Sequence, residues 1–248
     1  MSERQCRHVK LSKPPLMLVL AQVRLSPVRQ LARFIPSIQE EFRLHGLPIE
    51  RAGRVQQLVV SSTGMQLRDV DRWEYRSPNE RESVTLFEDS VVLQTTDYLG
   101  FEAFADRLER CLRTVLEATE QQTYGRILRI GLRYLDLVQP GEGESFRDYL
   151  RPGLHGIDSA AFLAGSQRLH VECVGRTRVG ELEGTLVVRI LQNDQGFDLP
   201  PDLIAAAPAF ESRATPGELA TLIDIDHFVE VNEAPDIRWI RACCFDLH

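Results

Sequence analysis

The sequence predicts an α+β fold of two similar halves, each a mainly antiparallel sheet covered by helices in the order strand, helix, strands, helix, joined into one large curved sheet. Three observations predict it. The run Arg126-Ile-Leu-Arg-Ile-Gly-Leu-Arg-Tyr-Leu-Asp-Leu-Val138 is apolar, rich in branched residues and placed near mid-chain, as suits a long central strand. Phe101, Phe104, Leu108, Cys111, Leu112 and Val115 recur at helical spacing between charged residues, the pattern of an amphipathic helix that covers a sheet. Segments on either side of the central run can be laid on one another. Leu16–Leu25 and its following helix match Leu128–Val138 and Phe146–Leu150, and the stretch Ser90 to Asp97 matches Thr185 to Gln192.

Residues 1–13 read as a polar leader, residues 14–140 as the N-terminal half and residues 141–248 as the C-terminal half. Pro14-Pro15 introduces the branched run Leu16–Leu25, a buried strand stopped by Ser26-Pro27. Ser26 is placed to cap a helix with Pro27 at its first position. Val28, Leu31, Phe34, Ile35, Ile38 and Phe42 keep helical spacing, but Pro36 divides them into a short helix and a second one that Gly46 ends. Strands are expected over Arg54–Ser61 and Asp69–Arg76, then a hairpin of Ser83–Phe87 and Ser90–Thr96 about the turn Glu88-Asp89. Asp97 is a cap candidate for the amphipathic helix. Gly141-Glu-Gly-Glu144 is the polar break between halves. Beyond it come a short helix at Phe146–Leu150, an irregular stretch to Gly165, strands at Arg168–Arg178 and Gly184–Asn193, and a proline-rich loop over Asp198–Pro216. A strand at Leu219–Val231 and a helix over Asp236–His248 close the chain.

A chain of 248 residues with 43% hydrophobic and 26% charged residues can bury a sizeable core and is not of disordered composition. Its net charge of −7 repels phosphate backbones and suits a basic protein partner. The five cysteines (Cys6, Cys111, Cys173, Cys243, Cys244) form no C-x-x-C pair, so reduced thiols in a cytoplasm are expected. The leader holds no apolar signal core, and no apolar run approaches the roughly 20 residues that span a bilayer. Arg4, Arg7, His8, Lys10 and Lys13 are basic, but no nucleic-acid-binding signature follows them.

The ordered set Pro14-Pro-Leu16, Gln22-Val-Arg-Leu-Ser-Pro27, Ile35-Pro-Ser-Ile-Gln-Glu40, Thr96-Asp-Tyr98 before Phe101, and Arg129-Ile-Gly-Leu-Arg-Tyr134 resembles a sporadically distributed bacterial family of similar length with no assigned activity. The resemblance covers residues 14–140 well and the remainder loosely. Its motifs are structural, a strand start, a capped helix and a strand core. It therefore implies a fold and a bacterial setting and carries over no catalytic residue. Patchily inherited families of this kind often hold parts of conflict systems, so the resemblance implies an immunity or regulatory partner.

Four constellations carry candidate chemistry. Asp224 and Asp226 share one face of a strand and are weak candidates for Mg²⁺, with a solvated strand face as the plainer explanation. Glu181 and Glu183 alternate near Arg176, Arg178 and Arg189, while Arg129 and Arg133 share a face of the central strand. These residues fit an Arg/Glu-lined concavity for an anion, or simple cross-strand ion pairs. Cys111 and Cys173 read as core thiols, and neither a nucleophile elbow nor a glycine-rich phosphate loop is present. Trp73, Tyr75, Tyr98, Trp239 and Phe245 lie near turns or the terminus, where aromatics serve as interface anchors or as core edges. The expectation is a non-enzymatic cytoplasmic bacterial binding protein that takes another protein or a second copy of itself, with no cofactor. The competing expectation is an enzyme or sensor for a phosphorylated small molecule or nucleotide at the arginine-lined sheet.

Overall fold

The computed structural model describes residues 14–61, 64–155, 170–194, 199–200, 203, 208 and 217–248, and residues 57–66 only by backbone pairing. Among the described residues nine strands form a single sheet: β1 (Leu16–Leu25), β2 (Ile49–Ser61), β3 (Gly64–Arg76), β4 (Glu82–Phe87), β5 (Ser90–Thr95), β6 (Ile127–Val138), β7 (His170–Val179), β8 (Leu182–Asn193) and β9 (Ala220–Glu233). Across the sheet they run β2-β3-β4-β5-β1-β6-β9-β8-β7, and every neighbouring pair is antiparallel. The expected central strand, β6, lies between β1 and β9. The described helices are α1 (Ile35–Leu44), α2 (Phe101–Ala118), α3 (Gln121–Tyr124), α4 (Phe146–Tyr149) and α5 (Ile237–Leu247), with short 3-10 turns at Leu31–Arg33 and Pro152–Leu154. Among the described residues no helix is long and apolar enough to cross a membrane.

One face of the sheet carries the long helices. Alternate residues Val19, Ala21 and Val23 of β1, Ile130 and Leu132 of β6 and Leu93 of β5 meet Ile38 and Phe42 of α1, Leu112 and Leu116 of α2 and Ile240 and Cys244 of α5 in one core. The opposite face carries a second apolar cluster, in which Met17, Leu18 and Leu20 meet Leu135, Leu137 and Leu222. Burial on both faces explains why β1 reads as an uninterrupted apolar run rather than as an alternating one.

Local rules place most of the helix ends. Pro36 stands in the first turn of α1, directly after the 3-10 turn, so the break falls where proline demands it. Gly46 has φ +83°, and Leu47 N–H reaches back 2.8 Å to the Phe42 carbonyl, closing the helix in the left-handed region that glycine tolerates. Ser145 and Asp148 form a reciprocal capping box on α4. Asp236 caps α5 by accepting from the N–H groups of Arg238 and Trp239.

Several expectations are corrected. Ser26 caps no helix: its hydroxyl donates to Gln121 Oε1 at 3.1 Å and accepts from Arg126 N–H at 3.0 Å, tying the end of β1 to α3 and β6. Asp97 does not cap α2, whose N-cap is Gly100 with φ +138°; Asp97 N–H donates to Thr95 Oγ1 instead. The second strand begins at Ile49 rather than Arg54, and the third at Gly64 rather than Asp69. Glu181 lies in the turn between β7 and β8, so only Glu183 belongs to the strand. The short α4 buries none of its residues; cover for the C-terminal strands comes from α5 and from Leu150 and Leu154. The leader at 1–13 and most of the loops at 151–165 and 198–216 lie outside the described residues.

Candidate functional site

The helix-free face of β6, β9, β8 and β7 carries the arginines and aspartates singled out above. Arg129, Gly131 and Arg133 of β6 point the same way as Asp224, Asp226 and Phe228 of β9, since their positions alternate in register. Arg133 stands opposite Asp226 but reaches diagonally to Asp224, with Nε 2.7 Å from Oδ1 and Nη2 2.8 Å from Oδ2. That is a bidentate pair, and both partners are buried. Arg189 of β8 donates to the same Asp224 at 3.4 Å and to Glu172 of β7 at 2.6 Å. Arg129 spans the gap left by Gly131. Its guanidinium donates to Gln22 Oε1 at 2.6 Å and Asp226 Oδ2 at 3.3 Å, and its carbon lies 4.1 Å from the centroid of the Phe228 ring. A side chain at position 131 would press on it, with Arg129 Nη1 only 3.1 Å from an ideal Cβ. Burial lowers the Arg129 pKa and raises that of Asp226, with each partially offset by the other's charge.

In this ladder Arg129, Arg133 and Arg189 face Asp224, Asp226 and Glu172, so its charges balance. The arrangement locks four strands in register. Asp224 and Asp226 present their oxygens to arginines, and among the described residues no group of His, Cys, Asp and Glu is arranged to hold a metal ion. Arg176 and Glu183 pair with one another at 3.1 Å on the exposed surface of β7 and β8. Glu181 is exposed in its turn, apart from the ladder.

At the other end of the same face, charged side chains alternate on β3 with the aromatic ones. Arg72, Glu74 and Arg76 share a face; Glu74 is fully buried and takes Arg76 at 2.7 Å, while Arg51 and Arg76 both reach Glu80. The alternation in Arg72-Trp-Glu-Tyr-Arg76 signalled the shared face, but nothing local signalled its burial. Trp73 and Tyr75 turn to the helix-bearing side. Tyr75 is 0% exposed against Phe42, with ring centroids 5.0 Å apart, which removes it from any contact surface. Trp73 and Trp239 are partly buried against the same core.

Tyr98 joins an aromatic corner where α2 begins and α5 ends. It meets Phe104 and Tyr134 at centroid distances of 6.0 and 6.3 Å. His248 stacks on Phe101 at 4.5 Å and 8°, and its Nδ1 lies 2.8 Å from the Tyr134 hydroxyl. Beneath it, His227 donates from Nδ1 to the Leu247 carbonyl at 2.9 Å, and its Nε2 lies 2.7 Å from the Thr177 hydroxyl. Burial pushes the Cys111 and Cys244 thiols up to about 12 and Cys243 up to about 11, so these are core thiols rather than nucleophiles.

No family model, curated protein or solved structure matches this chain. The geometry alone therefore carries the functional reading.

Sequence reasoning passed over Asp136. It lies on the helix-bearing face of β6, opposite Leu16 and Ile223, and burial raises its carboxyl from an ordinary 3.8 to about 6. The folded state thus binds this proton more tightly than the unfolded chain does, and the contribution of Asp136 to stability falls as pH rises from about 4 to about 6. Replacing it with asparagine is expected to stabilise the protein by roughly 1–2 kcal/mol above pH 7, after allowance for its partial solvent access. The gain should vanish below about pH 4. Urea unfolding of both proteins at several pH values measures the difference, and a gain independent of pH would refute the assignment.

Proposed function

We propose that this chain is a non-enzymatic bacterial binding protein, an immunity or regulatory partner, that receives a basic protein on its aromatic corner. The observation that carries this reading is the pair of exposed apolar side chains there. Leu99 is 74% and Phe245 60% exposed, and Phe245 rests on Phe101 at 5.9 Å. Large exposed apolar groups on a rigid aromatic base are what an interface anchor requires. On the α5 side the adjoining rim holds three carboxylates, Glu102, Asp106 and Glu109, against Arg241 and Arg113, while Arg107 and Arg110 lie beside Leu99. The surplus of carboxylates on the α5 side favours a basic partner, in keeping with the net charge.

The strand order also supports a duplicated architecture. Outward from β1 the sheet runs β5, β4, β3, β2; outward from β6 it runs β9, β8, β7, so β2 alone lacks a counterpart among the described strands. Each half then places its first strand centrally and its last strand next to it, with α2 and α5 in equivalent places, in keeping with the repeat read from the sequence. The phosphorylated-ligand reading needs Arg129 and Arg133 free, and both are engaged by aspartates.

The test compares tagged parent with a Leu99→Lys/Phe245→Lys variant. The parent is expected to retain a stoichiometric partner from its native cell, and the variant to lose it at an unchanged melting temperature. Leu44→Lys, at an equally exposed site on α1, should keep it. Retention by the double variant would remove the corner as the contact surface.

A further inference from the structure

The sheet ends at β7, and the outer edge of that strand pairs with no other among the described residues. Proteins normally blunt such edges with a bulge, a proline, a short strand or charges of one sign, because a regular edge is a template for another strand. β7 has no bulge, no proline and no short span, and its charges, Glu172 against Arg176 and Arg178, are of both signs. It spans ten residues without proline, and its register with β8 is unbroken from His170↔Leu191 to Val179↔Leu182. At its centre Val174 is 66% exposed, and the space beside Gly175 is open. Apolar exposure in the middle of an unblunted edge calls for a covering strand.

We infer that β7 pairs antiparallel with β7 of a second copy of this chain, about a two-fold axis through Val174, so that one sheet runs through both copies. The register follows from symmetry. A two-fold axis normal to the sheet keeps each face on its own side, so residues that oppose one another differ by an even number and the axis passes through a residue. An axis at Cys173 sets Glu172 against Val174. An axis at Gly175 sets Val174 against Arg176. The axis at Val174 sets that valine against its own copy, and it sets Glu172 against Arg176 of the other copy on both sides of the axis. Apolar and opposite-charge cross-strand pairs are both favourable. The outer His170–Arg178 pairs add nothing.

The charge ladder then continues across the junction. Within one copy Asp224 holds Arg189, and Arg189 holds Glu172. Across the axis Glu172 meets the Arg176 that Glu183 already holds at 3.1 Å. Signs alternate along the whole row, which favours this register over its neighbours and discriminates against unrelated edges. This inference uses the opposite end of the sheet from the β2 edge and does not depend on the aromatic corner.

Three measurements on the full chain test it together. Light scattering should give a mass twice the 28.2 kDa of the chain, with dissociation on dilution. Arg176→Glu sets two carboxylates against each other at both symmetric positions, and it should weaken the dimer about tenfold or more. Its melting temperature, extrapolated to the monomer, should hold, because the Arg176 side chain is 83% exposed. Val174→Cys in a Cys173→Ser background should form an intermolecular disulfide under mild oxidation, since directly opposed strand positions lie within bridging distance. A monomer at every concentration overturns the inference. So does a dimer that is indifferent to Arg176→Glu or fails to cross-link through position 174.

Discussion

Replacing Asp224 with alanine should destabilise the fold by about 3–5 kcal/mol, as expected when a buried ion pair loses one partner. Asp224 is 1% exposed and accepts from both Arg133 and Arg189. Its removal leaves the Arg133 guanidinium, 9% exposed at the side chain, with its strongest partner gone and little access to water. Chemical denaturation of the parent and variant reads the difference directly. Two controls separate burial from mere charge. Arg54→Ala removes the Arg54–Asp71 pair, 2.8 Å between two largely exposed side chains, and it should change stability by no more than about 0.5 kcal/mol. Replacing both members, Asp224→Leu with Arg133→Met, should recover most of the loss, because the penalty resides in the buried charge deprived of Asp224 rather than in the missing bridge. A small effect of Asp224→Ala would mean that water reaches this face, and the reading of a closed structural ladder would fall.

The same ladder shows what a sequence discloses about a sheet. Parity along a strand is local, so the shared face of Arg129 and Arg133, and that of Asp224 and Asp226, followed from counting by two. Which strands stand together is not local. β6 meets β9 across a separation of about ninety residues (Arg133 and Asp224 lie 91 apart), and only that pairing turns two candidate sites into one neutral network. The amphipathic α2 was legible because its buried residues repeat within the helix itself. Ser26 and Asp97 misled for the opposite reason: short polar side chains beside a helix or turn bond to whatever backbone or amide the fold delivers, here Gln121 and Arg126 for Ser26. Asp136 gave no signal, since an isolated carboxylate in an apolar strand looks the same whether its face is wet or covered.

Tyr75 makes the hardest case, since alternation of Trp73 and Tyr75 with charged neighbours fits an exposed aromatic anchor as well as a core. Its ring is fully buried against Phe42, burial raises its hydroxyl pKa, and its Oη has no hydrogen-bond partner among the described residues. Truncation and removal of the hydroxyl should therefore have different consequences. Tyr75→Ala opens a cavity the size of a ring and should lose about 3–5 kcal/mol. Tyr75→Phe keeps the packing and deletes an unsatisfied polar group, so its stability should equal that of the parent or exceed it by up to about 1 kcal/mol. Thermal and urea unfolding of the two variants give both numbers. A surface anchor would reverse the pattern, since alanine would then cost little stability and both changes would act on partner retention. A clear loss of stability in Tyr75→Phe would instead mean that the hydroxyl is satisfied by an internal water, because only a bonded group is missed when it is removed.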